Sequence, residues 1–90
     1  MYFVYAINSK DRNYIYVGLT NNVNRRLTEH NKGENRSTKA FIPFELIMKE
    51  SFETRLEARA REKYLRSGIG KEYLKNIINA RVAKLVDAPP

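Results

Sequence analysis

Phe3-Val4-Tyr5-Ala6-Ile7-Asn8 and, after a polar stretch, Tyr14-Ile15-Tyr16-Val17-Gly18-Leu19 decide how this chain folds. Both runs are rich in β-branched and aromatic residues and carry no proline, so residues 2–8 and 14–19 are predicted strands. Ser9-Lys10-Asp11-Arg12-Asn13 between them is a polar turn cluster, which makes the pair an antiparallel hairpin. Gly18, near the end of the second strand, permits a close backbone approach or a sharp exit.

Working outward, Thr20-Asn21-Asn22 supplies N-cap candidates, and Val23, Leu27 and the aliphatic stem of Arg26 follow at helical spacing. That helix should run to about Asn31, with Gly33 as its stop. Residues 34–40 are polar and basic, a loop. Pro43 opens a third strand, Phe44-Glu45-Leu46-Ile47-Met48. Thr54-Arg55-Leu56-Glu57 fits a capping box and starts a helix to about Arg66, which Ser67-Gly68-Ile69-Gly70 is expected to break. A last helix, about 71–81, puts Tyr73, Leu74, Ile77 and Ile78 on one face. The order β-β-α-β-α-α predicts an α+β fold: a small three-stranded antiparallel sheet flanked by helices.

Ninety residues make one domain, taken here as residues 1–80 with a tail at 81–90. A chain this short buries only about 60% of the surface its unfolded form exposes, so its core is small. The tail, Ala83-Lys84-Leu85-Val86-Asp87-Ala88-Pro89, lacks clear periodicity. It resembles the peptide read when an open reading frame runs into a tRNA gene, which would leave it no evolved role. A short extension packing Leu85 and Val86 on the sheet is the alternative.

There is no cysteine, which excludes disulfides and thiolate metal sites. The apolar N-terminus is too short to span a membrane and has no basic leader, so a cytoplasmic protein is expected. Seventeen Lys and Arg against ten Asp and Glu give a net charge of +7. Such an excess attracts polyanions. No basic amphipathic helix with aromatic anchors is evident, which argues against a membrane surface and for nucleic acid.

Five residues form a chemical constellation: Tyr5 and Tyr16 on adjacent strands, Arg26 and His30 on the next helix, and Glu62 on a later one. The hairpin brings Tyr5 near Tyr16, on one side of the sheet if the register allows. Arg26 and His30 are four apart and share a helix face. Glu62 lies four after Ala58 and three before Leu65, on the packed side of its helix. A carboxylate there has a reason to exist if it holds a cation. Each residue alone has a bland reading: strand tyrosines are mostly structural, Arg26 could be a solvated helix residue, His30 could sit at the surface near a helix C-terminus, and Glu62 could merely pair with Arg59 or Arg66.

Together these residues resemble the GIY-YIG nucleases. Phe3-Val4-Tyr5, then Tyr16-Val17-Gly18 eleven residues on, is similar to the paired tyrosine motifs that name the family, with Val4, Val17 and Gly18 as the structural part. Arg26 falls eight after Gly18 and His30 four after that, as in the family's first helix. Glu62, in Ala60-Arg61-Glu62-Lys63-Tyr64-Leu65, stands where the family's helical metal-binding glutamate is expected. The segment Arg61 to Gly68 and the following Gly-Lys-Glu look like the small stand-alone bacterial members, akin to the N-terminal domain of excinucleases. The resemblance covers roughly residues 2–80. Phe3 replaces the first motif's glycine and Val17 the second motif's isoleucine, so the first motif rests on Tyr5. The C-terminal asparagine of some larger members has no clear counterpart.

The resemblance implies phosphodiester hydrolysis with one Mg²⁺ or Mn²⁺ held by Glu62 and waters. Mg²⁺ commonly keeps several waters and takes only one or two protein carboxylates, so a single protein ligand is sufficient. Arg26 offers a planar fork to phosphate oxygens. A phenol with its ordinary pKa of about 10 is roughly 4 kcal/mol from being a ready base at neutral pH. Arg26, the metal and nearby lysines favour the phenolate, and His30 can accept or relay its proton. Tyr16 is the expected base, with Tyr5 positioning water or phosphate, although the sequence leaves the two roles exchangeable.

Thr20, Asn21, Lys32, Arg36, Lys39 and Lys71 flank this constellation and are the expected nucleic-acid contacts. Phosphate contacts carry no base information, so specificity should be low, with DNA favoured over RNA. A monomer or weak dimer is expected. The competing readings are a catalytically silent nucleic-acid-binding module and a protein-interaction domain for an acidic partner.

Overall fold

The computed structural model describes residues 1–86, with side chains as far as residue 80. Strand β1 (Tyr2–Ser9) lies at the centre of a three-stranded antiparallel sheet, between β2 (Ile15–Thr20) and β3 (Phe44–Phe52). Helix α1 (Val23–Asn31) follows the hairpin, and α2 (Arg55–Arg66) and α3 (Gly68–Val86) follow β3. The predicted class and the order β-β-α-β-α-α both hold. The readings of Leu85, Val86 and the final residues lie outside the described side chains.

Successive strand residues point to opposite faces, and both faces of β1 are covered. Val4, Tyr5, Ala6 and Ile7 are therefore all buried. Val4 and Ala6 join Val17, Ile47, Ala58, Leu65 and Leu74 in an entirely apolar core beneath α2 and α3. Tyr5 and Ile7 join Val23 and Phe44 in a second cluster beneath α1. The hairpin register sets Tyr5 opposite Gly18 and Ile7 opposite Tyr16, so the two tyrosines share the α1 face on a diagonal.

The expected helix ends are mostly where the caps put them. The Asn22 side chain accepts from the Arg25 amide and Thr54 from the Glu57 amide, while Gly33 leaves α1 at a φ of +77°. The break expected over residues 67–70 is instead confined to Ser67. Its amide bonds to the Tyr64 carbonyl, and its hydroxyl accepts from the Gly70 amide, so it closes α2 and caps α3 at once. Gly70 serves packing instead of a break: a Cβ there would run into the Tyr64 carbonyl and the Leu65 backbone, where the two helices cross, whereas a Cβ on Gly68 would meet open space. Strand β3 also runs on to Phe52, because Lys49, Glu50 and Ser51 pair with β1 despite their polarity.

Candidate active site

Helix α1 is fixed over the second cluster at both ends. Asn22 caps its start, and Asn31 at its end donates to the Phe44 carbonyl (3.2 Å) and accepts from the Phe44 amide (2.6 Å). Val23 packs inward, and Arg26 and His30 are thereby delivered above the two tyrosines. His30 Nε2 lies 2.9 Å from the Tyr5 hydroxyl, and its ring centre lies 4.9 Å from that of Tyr16. The Tyr5 and Tyr16 rings are 6.2 Å apart. Arg26 grips Glu29 at 2.7 Å, and its charge acts on the Tyr5 phenol.

Gly18 performs the close approach that its place in the strand suggested. A Cβ there would stand 2.6 Å from the Tyr5 hydroxyl oxygen, so only glycine lets that side chain lie across β2. Tyr5 and His30 are fully buried, whereas Tyr16 is half-buried. Burial pushes the Tyr5 phenol up, against the opposing pull of Arg26. Burial also holds His30 below its ordinary value, and the Arg26 charge adds to this. His30 is thus a neutral interior group and not the surface residue that its helix-end position alone would suggest.

Sequence reasoning missed Thr38. It is fully buried, and its hydroxyl oxygen lies 2.8 Å from His30 Nδ1. The polar loop folds inward because Asn35 accepts the amides of Thr38 and Lys39 on its carbonyl, and Phe41 stacks on Tyr14 at 4.0 Å between ring centres. No spacing rule separates a threonine that turns inward from its exposed neighbours Arg36, Ser37 and Lys39.

Glu62 comes from the other side of the sheet. Ala58, Glu62 and Leu65 are the buried residues of α2, as the spacing indicated. Its carboxylate pairs with Arg66 at 3.2 Å and Arg59 at 3.6 Å, so both bland partners are realised. Arg66 also donates to the Val17 carbonyl at 3.1 Å, on the open edge of β2. Glu62 is therefore one arginine away from the tyrosine strand, in a group separate from Tyr5, Arg26 and His30. Among the described residues no three His, Cys, Asp or Glu side chains gather to hold a metal. One carboxylate still fits a Mg²⁺-like ion that keeps its waters. Arg59 and Arg66 are more than half exposed, with stems long enough to turn away and release it.

Two clefts run along β2. One, about 340 Å³, is lined by Leu19, Thr20, Asn21, Arg25, Arg26 and Arg55 together with Tyr2. The other, about 410 Å³, is lined by Tyr14, Tyr16, Ser37, Arg66 and Lys71 with strand residues between them. Neither contains an acidic residue. A larger hollow on the outside of α1 includes Glu29 and Glu34 and lacks both tyrosines. Of the expected nucleic-acid contacts, Asn21 and Lys71 line these β2 clefts on exposed side chains, and Lys32, Arg36 and Lys39 are exposed. Thr20 is buried, and its hydroxyl accepts from the Asn22 amide at the start of α1.

Among the described residues no helix is long and apolar enough to cross a membrane. The sequence model of the GIY-YIG catalytic domain matches residues 1–73. The UPF0213 protein YazA of Bacillus subtilis is 36% identical over 92 residues, covering 98% of this chain and 92% of that protein. UPF0213 protein VNG_2274C of Halobacterium salinarum is 41% identical over 63 residues, 69% of this chain and 80% of its own length. UPF0213 protein CPE1444 of Clostridium perfringens is 37% identical over 67 residues, 73% of this chain and 71% of its own length. No solved structure matches the chain.

Proposed function

Since the chain belongs to the GIY-YIG catalytic domain family, we propose that it is a metal-dependent endonuclease acting on nucleic-acid phosphodiester bonds, DNA before RNA, with low sequence preference. The observation that carries this reading is the gathering of Tyr5, Tyr16, Arg26 and His30 on one sheet face, beside an edge strand whose clefts are lined by Arg25, Arg26, Arg55, Arg66 and Lys71.

Tyr16 lines a cleft and is half-buried, so a water can reach its hydroxyl; it is assigned as the base. Tyr5 is sealed from solvent and assigned to positioning. Arg26 keeps N–H donors beyond the one spent on Glu29, and it presents them to phosphate oxygens. Glu62 is the residue that would hold Mg²⁺ or Mn²⁺, which when bound supplies charge stabilisation at the scissile phosphate and the leaving oxygen. The basic clefts keep the strand seated through its backbone, without reading bases. With about five phosphates engaged, binding to duplex should weaken with salt at a log–log slope of roughly −4 to −5.

The engagement of Glu62 by Arg59 and Arg66 favours a second reading, a binding module that cleaves nothing. Plasmid, single-stranded DNA and RNA incubated with Mg²⁺, Mn²⁺ or EDTA separate the two. Cutting that needs the metal supports the nuclease. Salt-sensitive binding that persists in EDTA, with no cutting under any condition, would overturn it in favour of the binding module.

A further inference from the structure

We propose that Thr38 is a positioning residue that fixes His30 as the neutral Nδ1–H tautomer, leaving Nε2 as the built-in acceptor for the Tyr5 hydroxyl proton. The inference deepens the nuclease reading and rests on it for the role of Tyr5. It is carried by a chain of hydrogen bonds from Tyr5 through His30 and Thr38 to the Asn35 carbonyl.

At one end the Tyr5 hydroxyl meets His30 Nε2 at 2.9 Å and feels the positive charge of Arg26. Arginine has hydrogens to give and no lone pair to offer. Its charge favours the Tyr5 hydroxyl with the oxygen toward Arg26 and the hydrogen away from it. The neighbour able to take it is His30 Nε2, at 2.9 Å. An Nε2–H there would take that acceptor from the phenol hydrogen inside a fully buried site.

At the other end Thr38 lies 3.4 Å from the Asn35 carbonyl, which can only accept. A hydroxyl that gives its single hydrogen to that carbonyl has only lone pairs left for His30 Nδ1, 2.8 Å away. The hydrogen bonds therefore run from Tyr5 to His30, from His30 to Thr38 and from Thr38 to Asn35, and the Arg26 charge favours the same sense at Tyr5. Thr38, His30 and Tyr5 are each fully buried, so solvent does not supply an alternative partner.

The loop is built to hold this hydroxyl in place. Asn35 gathers the turn through the Thr38 and Lys39 amides, Phe41 stacks on Tyr14, and Asn31 ties the end of α1 to Phe44. The second tautomer-determining contact of His30 therefore comes from the loop between α1 and β3. Fixing the other ring nitrogen is the ordinary way a histidine's working nitrogen is selected.

The chain contains one histidine, so its imidazole nitrogens are read without ambiguity in tag-free, ¹⁵N-labelled protein. Long-range ¹H–¹⁵N spectra at neutral pH should place Nδ1 at the shift of a protonated nitrogen and Nε2 at that of a bare one. Thr38→Val should move His30 toward the Nε2–H tautomer, and Thr38→Ser should restore the wild-type pattern. Should the valine variant fail to fold, Thr38→Ala takes its place. A wild-type spectrum of the Nε2–H form, or of the charged ring, overturns the proposal, as does an unchanged spectrum in the folded hydroxyl-free variant. None of these readings requires cleavage. A protein that cuts nothing but shows the Nδ1–H tautomer would remove the proposed activity alone.

Discussion

The two faces of the sheet are built on opposite principles, although one strand serves both. Toward α2 and α3, β1 presents Val4 and Ala6 to a core with no polar atom in its side chains apart from Glu62 at its rim. Toward α1, the same strand presents Tyr5 to a buried chain of hydrogen bonds through His30 and Thr38. Apolar packing is non-directional and tolerates rearrangement, whereas buried polar groups cost free energy unless each donor meets an acceptor. The α2–α3 face therefore carries stability, and the α1 face holds particular atoms in particular places.

That division is open to attack from either side, and the largest effect belongs to the α1 face. Tyr16→Phe removes one oxygen from a half-buried residue and should leave stability almost unchanged. On the proposed role it should lower cleavage by about 100-fold or more, measured as single-turnover rate on the preferred substrate. Full activity would return Tyr16 to a structural role. On the opposite face, Leu65→Ala should cost about 3 kcal/mol of unfolding free energy in urea titration. Its cleavage rate should stay near wild type at temperatures where the variant is folded. A rate loss without a stability loss would blur the two faces.

Tyr5→Phe belongs to both ledgers. It strands His30 Nε2 without its donor, so a loss of about 1–3 kcal/mol in stability should accompany any loss of rate. The smallest effect is the dependence on pH. Burial and Arg26 hold His30 below its ordinary pKa of about 6.5, so the unfolded chain takes up that proton first as the pH falls. The native advantage is complete above about 6.5 and shrinks as the pH drops toward the lowered native value. The slope from this one group cannot exceed about 1.4 kcal/mol per pH unit. Subtracting the stability–pH curve of His30→Gln from that of the wild type should isolate it, and parallel curves would mean that His30 is not held neutral.

How much of this was legible follows the same division. The apolar face is written in periodicity: Ala58, Glu62 and Leu65 fall on one side of α2, and Leu74 with Ile77 and Ile78 on one side of α3, although Tyr73, expected with them, is exposed under Arg61. Caps at Asn22 and Thr54 are short-range chemistry and could be read directly. The extension of β3 could not, because Lys49, Glu50 and Ser51 are strand only through their pairing with β1. Gly70 looked like part of a break because helix–helix approach leaves no trace in a single sequence. On the polar face, motif spacing singled out Tyr5, Tyr16, Arg26 and His30 as candidates but gave no sign that Thr38 is buried beside them. Its place depends on a loop closure set by Asn35, Asn31 and Phe41, which are far from any periodic signal.

Glu62 is the one residue that crosses the division, since it grows from the apolar side and is assigned to the chemistry. Its replacement is the most direct test of the nuclease. Wild type, Glu62→Gln and Glu62→Ala should be compared for cleavage with Mg²⁺ or Mn²⁺, alongside unfolding curves and salt-dependent binding. The expected result is metal-dependent cutting by the wild type alone, with folding and binding of nucleic acid retained in both variants. Undiminished cutting by folded Glu62→Ala would contradict the assignment of the metal to this carboxylate, and with it the mechanism.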